Sequence, residues 1–140
     1  METNAILTIE GVQQLQGEAP ETTRLMTEGW LSREEHTIVL SYEETELTGL
    51  AGTRTTFRIQ PDRVVLTRTG AVESEMAFLP GQEHRSLYNM GFGALMIKIH
   101  TDTMVTTMTE HGGMLEVSYH ISIEEETAGT ITYRIKARRK

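Results

Sequence analysis

Hydrophobic and polar positions alternate along most of this chain. In residues 114–123, Leu115, Val117, Tyr119, Ile121 and Ile123 fall on one parity, and Met114, Glu116, Ser118, His120 and Ser122 on the other. The C-terminal segment repeats the pattern, with Ile131, Tyr133, Ile135 and Ala137 set against Thr130, Thr132, Arg134 and Lys136. Phe57 and Ile59 alternate with Thr56 and Arg58, and Leu95, Ile97 and Ile99 with Ala94, Met96, Lys98 and His100. A period of two predicts half-buried antiparallel strands. No window carries a helical period beyond a short candidate turn at residues 44–50.

Turn signals divide these runs at short spacing: Gln60-Pro61-Asp62-Arg63, Thr69-Gly70, Pro80-Gly81, Met90-Gly91-Phe92-Gly93, His111-Gly112-Gly113 and Thr127-Ala128-Gly129. Many short strands joined by tight turns predict an all-β, antiparallel meander of about eight to ten strands, closed into a β-barrel or folded into a sandwich. Register follows, because paired residues must share a face. With Pro61-Asp62 as the loop, Ile59 meets Val64, Phe57 meets Leu66 and Thr55 meets Arg68. A turn centred on Gly112-Gly113 sets Val117 against Met108, Tyr119 against Thr106 and Ile121 against Met104. A Thr127-Ala128-Gly129 loop sets Ile123 against Tyr133, Ile121 against Ile135 and Tyr119 against Ala137. Tyr119, Ile121, Val117, Phe57, Leu66 and Ile135 are therefore the expected core.

Composition narrows the class. The chain has 140 residues, 21 of them threonine, and no cysteine. One domain over residues 1–140 is expected, large enough to fold without a staple. Thiolate metal sites, disulfides and thiol nucleophiles are excluded. Residues 1–133 hold 8 basic and 20 acidic groups, while five basic residues crowd the last seven positions. Such an acidic body repels nucleic acid and anionic membranes. The basic tail reads as a solvated strand that resists edge aggregation. An acidic start and a short apolar run at residues 5–9 give no signal peptide, and no run approaches the ~20 residues of a membrane span. A cytoplasmic location without membrane insertion is expected.

Three stretches carry a likeness: Leu40-Ser41-Tyr42-Glu43-Glu44-Thr45-Glu46-Leu47, Val65-Leu66-Thr67-Arg68-Thr69-Gly70-Ala71-Val72, and Tyr88-Asn89-Met90-Gly91-Phe92-Gly93. In order and spacing they resemble the bacterial YwiB-like family of unknown function, over residues 6–135. The resemblance implies a calycin-type, lipocalin-like barrel, the architecture of lipocalins, fatty-acid-binding proteins and avidins. Two signatures of the ligand-binding members are absent. Gly29 and Trp30 are adjacent where lipocalins have Gly-x-Trp, and Tyr133-Arg134 stands where fatty-acid-binding proteins have Arg-x-Tyr. A fatty-acid ligand is therefore not inherited.

Candidate chemistry is sparse. The histidines at 36, 84, 100, 111 and 120 form no i, i+4 pair, and His100 and His120 fall on outward positions, so no metal site is expected. Gly91-Phe92-Gly93 lacks the third glycine of a dinucleotide loop, and no cofactor is expected. No nucleophile elbow or phosphate loop is present. Glu43, Glu44 and Glu46 read as a solvated strand end, and Glu124, Glu125 and Glu126 as an exposed hairpin tip. Arg68 stands apart, because Val64, Leu66 and Arg68 share the inward face. A buried guanidinium keeps its charge and requires acceptors: a carboxylate such as Glu44, carbonyls, or an anionic ligand. Tyr42, Met76, Met104, Met108, Tyr119 and Tyr133 share that inward face and suit either core filling or an adaptable ligand wall. Two functions follow. One is a non-enzymatic module binding a small, largely apolar molecule with a polar or anionic end near Arg68. The other is a filled structural barrel that meets a protein partner, and self-association is left open.

Overall fold

The computed structural model describes residues 2–89, 93–123 and 126–140. The expected loop at Met90-Gly91-Phe92 and the tip residues Glu124 and Glu125 lie outside these. Ten strands follow in order: β1 (Ala5–Leu15), β2 (Glu21–Glu34), β3 (Thr37–Glu43), β4 (Thr53–Ile59), β5 (Val64–Gly70), β6 (Ser74–Phe78), β7 (Glu83–Asn89), β8 (Ala94–Thr106), β9 (Gly112–Ile123) and β10 (Glu126–Arg139). A 3-10 turn at Glu46–Thr48 joins β3 to β4, within the stretch expected to turn. The strands form one antiparallel sheet in the order β6-β5-β4-β3-β2-β1-β10-β9-β8-β7. The first strand pairs with the last along its whole length, from Ala5↔Arg139 to Leu15↔Gly129. The result is an antiparallel meander closed into a barrel, except for a seam between β6 and β7. There the bridge is made by side chains: the Ala77 N–H donates to His84 Nδ1 at 3.3 Å, and the Ser86 hydroxyl donates to the Glu75 carbonyl. Among the described residues no helix is long and apolar enough to cross a membrane.

The β4–β5 hairpin has the expected register, with Ile59↔Val64, Phe57↔Leu66 and Thr55↔Arg68. The other two hairpins are corrected. In β8–β9 the turn falls on Glu110-His111, where Thr109 and Gly112 exchange hydrogen bonds of 2.9 and 3.2 Å. Gly112 and Gly113 instead open β9 with φ of 128° and 141°, and a Cβ at either would strike neighbouring backbone. Val117 then faces Met104, Tyr119 faces Thr101 and Ile121 faces Ile99, with a bulge between Thr101 and Thr103. That bulge switches parity, so that Ile97 and Ile99 before it and Met104 and Met108 after it all point inward. In β9–β10 the ladder runs on to Ile123↔Glu126, and a bulge between Thr127 and Gly129 gives Tyr119↔Ile131, Val117↔Tyr133 and Leu115↔Ile135. The displacement from the expected pairing is even, so the inward face survives.

The core is accordingly close to expectation. Phe57, Leu66, Val117, Tyr119 and Ile135 are buried, whereas Ile121 is only partly buried. The register explains the exception, because Ile121 lies opposite Gly129, which has no side chain to cover it. β2 divides its pairing. Residues 21–29 pair with β1, whereas Trp30 to Glu34 pair with β3. Gly29 sits at the change-over, where a Cβ would collide with the Ser41 carbonyl, so only glycine permits the strands to approach. Beyond it the first half of β2 leaves β3, and the barrel wall opens.

Phe57→Ala should cost about 3–5 kcal/mol in a denaturant titration, since a fully buried ring is lost. Ile121→Ala should cost less than about 2 kcal/mol. Equal losses at the two sites would contradict the register of β9 against Gly129.

Candidate functional site

Inward residues of four consecutive strands form a polar row, Tyr42–Thr55–Arg68–Ser74, each paired with the next across the ladders of β3, β4, β5 and β6. Arg68 is 6 % exposed and extends across the lumen, donating from Nη2 to the Tyr133 hydroxyl on β10 at 3.0 Å. Glu44 follows Tyr42 by two residues and is held inward, its N–H donating to the Thr53 carbonyl at 2.8 Å. Its carboxylate is 4.0 Å from Arg68 Nε and accepts from Thr55 Oγ1 at 2.7 Å and Thr48 Oγ1 at 3.0 Å. The 3-10 turn thus supplies one of the hydroxyls that hold Glu44. Among the described residues, the buried Arg68 Nε and Ser74 Oγ of this row have no hydrogen-bond partner, nor does Thr101 Oγ1 opposite Tyr119.

Burial, followed by the Glu44 carboxylate, pushes the Tyr42 phenol well above its ordinary range. Burial does the same at Tyr119, with Tyr133 adding to it. Both phenols are therefore neutral hydrogen-bonding groups. Tyr133 accepts from Arg68, so its own proton is directed elsewhere.

Where β2 leaves β3, a cavity of about 440 Å³ opens at this end of the barrel. Ile9, Leu25, Leu50 and Ile131 give it apolar walls, and Tyr42, Glu44 and Tyr133 form its polar side, with Glu21 and Glu46 also lining it. Arg68 stands behind Glu44 and Tyr133. Met76 and Tyr119 are buried, Tyr119 against Phe78 at 4.7 Å between ring centroids, in the filled middle of the barrel. Met104 and Met108 do not join Arg68. They line a separate cavity of about 470 Å³ with Ile38, Ile59 and Pro61 at the opposite end. The register of β9 causes this, since Val117, and not Tyr119 or Ile121, faces Met104. The structure therefore brings together Arg68, Tyr42, Glu44 and Tyr133, with the Tyr119 ring stacked on Tyr133 at 6.5 Å between centroids, and separates Met104 and Met108 from them.

Gly11 was not evident as part of this site, although it lines the cavity and its Cβ position is 3.8 Å from the Tyr133 ring. The available signal is a glycine inside an otherwise β-forming run, Ile9-Glu10-Gly11-Val12, which marks a place where the wall is thinned. Arg134, expected outward, is exposed and donates from Nε to Glu116 at 2.8 Å.

A family model described as a domain of unknown function, DUF1934, matches residues 7–135. The chain belongs to this family. A curated relative, the uncharacterized β-barrel protein YwiB of Bacillus subtilis (strain 168), is 28 % identical over 117 residues, covering 81 % of each chain. The crystal structure of the ywiB protein from Bacillus subtilis superposes with a TM-score of 0.87 and 22 % identity, over 99 % of this chain and 92 % of that one. The β-barrel fold is thus shared over 99 % of this chain, and the family is the one the sequence resembled.

Arg68→Met removes the cation beside a buried carboxylate and should lower stability by about 3–5 kcal/mol. Adding Glu44→Gln should restore part of that loss, so the double-mutant cycle should show a coupling above about 1 kcal/mol. Strictly additive losses in denaturant titrations would mean that the pair does not interact. The raised phenol values carry their own sign. Stability from Tyr42 and Tyr119 is present below about pH 10, where unfolded phenols ionise, and falls as pH rises above it. Phenolate absorbance from these residues should thus appear only with unfolding. Substituting both by Phe should remove that component of the alkaline transition.

Proposed function

We propose that this DUF1934 barrel is a non-enzymatic binding module that takes a small, largely apolar molecule with a neutral, hydrogen-bond-accepting end. One observation carries the reading: the cavity beside β2 combines apolar walls with a buried, charge-paired floor whose Tyr133 hydroxyl retains a proton to donate. Pockets of a few hundred Å³, mostly apolar with a few fixed polar groups, are the usual form of small-molecule sites. An anionic end is disfavoured, because Glu21, Glu44 and Glu46 line the cavity and Arg68 already faces Glu44. A cytoplasmic location belongs to the proposal and rests on the sequence alone, as does the exclusion of nucleic acid by the acidic body.

A second reading has its own support. Arg68 is compensated by Tyr133 and Glu44, both protein groups, which fits a structural barrel whose middle is filled. Titration with Nile red, a neutral apolar probe with one carbonyl, separates the two. Saturable binding is expected in the wild type and should weaken at least tenfold in Gly11→Val. The added side chain occupies the cavity, and the Cβ contact with Tyr133 is an ordinary one. Stability should hold or rise by about 0.5 kcal/mol, because glycine weakens a strand interior. No saturable binding in the wild type, together with no small molecule copurifying in native mass spectrometry, would leave the structural barrel.

A further inference from the structure

On the outer wall, away from both cavities, two histidines meet across the β8–β9 ladder. His100 and His120 are direct partners, and their rings stack with centroids 4.8 Å apart. Asp102 stands between them. Its Oδ1 is 3.2 Å from His100 Nδ1, and its Oδ2 is 3.2 Å from His120 Nδ1. One donor atom from each of the three residues lies within 4.8 Å of the others. The placement of Asp102 has a specific cause. The β8 register shifts between Thr101 and Thr103, so Asp102 is the extra residue of the bulge. Bulges re-aim side chains and recur beside functional sites.

We propose that His100, Asp102 and His120 bind a divalent transition-metal ion of the zinc class. Two imidazoles and one carboxylate form a donor set suited to Zn²⁺ and its neighbours rather than to Mg²⁺ or Ca²⁺. A tetrahedral zinc ion with bonds of about 2.0–2.1 Å has its ligand atoms about 3.3 Å apart, close to the N···O separations here. Small rotations of the imidazoles bring the remaining pair to the same spacing. The His side chains are 33 % exposed and Asp102 43 %, so solvent reaches the ion and water completes its coordination. Glu83 pairs with His100 from β7 and adds negative charge on the same side of the site. The ladder fixes the relative positions of both imidazoles before any ion arrives, which lowers the ordering cost of binding.

The competing reading is that Asp102 simply joins two imidazoles through hydrogen bonds. Calorimetric titration of the untagged chain with Zn²⁺, and absorption spectra with Co²⁺ as the probe, distinguish the two. One equivalent of Zn²⁺ should bind saturably, Co²⁺ should show the visible bands of nitrogen and oxygen ligation, and Zn²⁺ should raise the melting temperature. Asp102→Asn and His120→Gln should each weaken Zn²⁺ binding at least tenfold and remove the thermal shift, with circular dichroism unchanged. His111→Gln, in the exposed turn, should bind as the wild type does. Absence of saturable Zn²⁺ binding in the wild type would overturn the site. Binding that persists unweakened in a folded His100→Gln/His120→Gln double variant would overturn it equally.

Discussion

A guanidinium cannot shed its charge inside a barrel, and the arrangement of one half of this lumen follows from that. Arg68 is committed to the interior by the parity of β5, which it shares with Val64 and Leu66. Its neighbours are accordingly polar where the rest of the lumen is apolar. Thr55 and Ser74 flank it on the adjacent strands, Tyr133 accepts from it across the lumen, and Glu44 faces its Nε. Glu44 in turn needs donors, which come from Thr55 and from Thr48 in the 3-10 turn. The short turn after β3 is therefore coupled to a charge on β5, and the cavity mouth takes its shape from that coupling.

Much of this was legible in the sequence, because parity is a robust property of strands and register is not. Arg68 could be placed inward because the Pro61-Asp62 loop fixes the β4–β5 register. Glu43 and Glu46 are exposed as a solvated strand end should be, but Glu44 is corrected to a buried position, the one its shared parity with Tyr42 allowed. The hairpins at either end of β9 were not recoverable in the same way. Both contain bulges, at Asp102 and between Thr127 and Gly129, and a bulge leaves no unambiguous mark in a sequence rich in threonine. The inward set nonetheless survived, because one displacement was even and in the other the bulge absorbed the odd step. What was lost was height along the barrel axis. Met104 and Met108 point inward as read, but at the other end.

The histidine cluster was hidden for a related reason. Metal-site spacings along a sequence presuppose a helix or a known loop, whereas His100 and His120 become neighbours only through the β8–β9 ladder. A single register error separates them. Asp102 is two residues from His100 and would be an unremarked outward acid without the bulge that turns it toward both rings. In strand proteins such constellations can be read only after the register is known.

The two thin places in the wall share a physical origin. A continuous ladder satisfies backbone groups, and leaves inward positions free to be apolar. Where the ladder lapses, side chains must take over. At the β6–β7 seam, His84 accepts from the Ala77 N–H and Ser86 donates to the Glu75 carbonyl. At the β2–β3 opening, Thr45 accepts from the Leu47 N–H in the turn after β3, and where β2 leaves β1 beyond Gly29, Asn4 both donates to the Leu31 carbonyl and accepts from the Leu31 N–H. The polar row through Arg68 runs between these places, from Tyr42 beside the opening to Ser74 on β6 at the seam. A buried charge is best tolerated there, because hydroxyls and carboxylates are already required nearby and small adjustments of side chains can complete its shell. The filled apolar middle, around Phe57, Phe78 and Tyr119, then carries the stability that a row of polar residues cannot. Chemistry gathers at the gaps in the ladder because those are the positions where apolar side chains alone cannot satisfy the backbone.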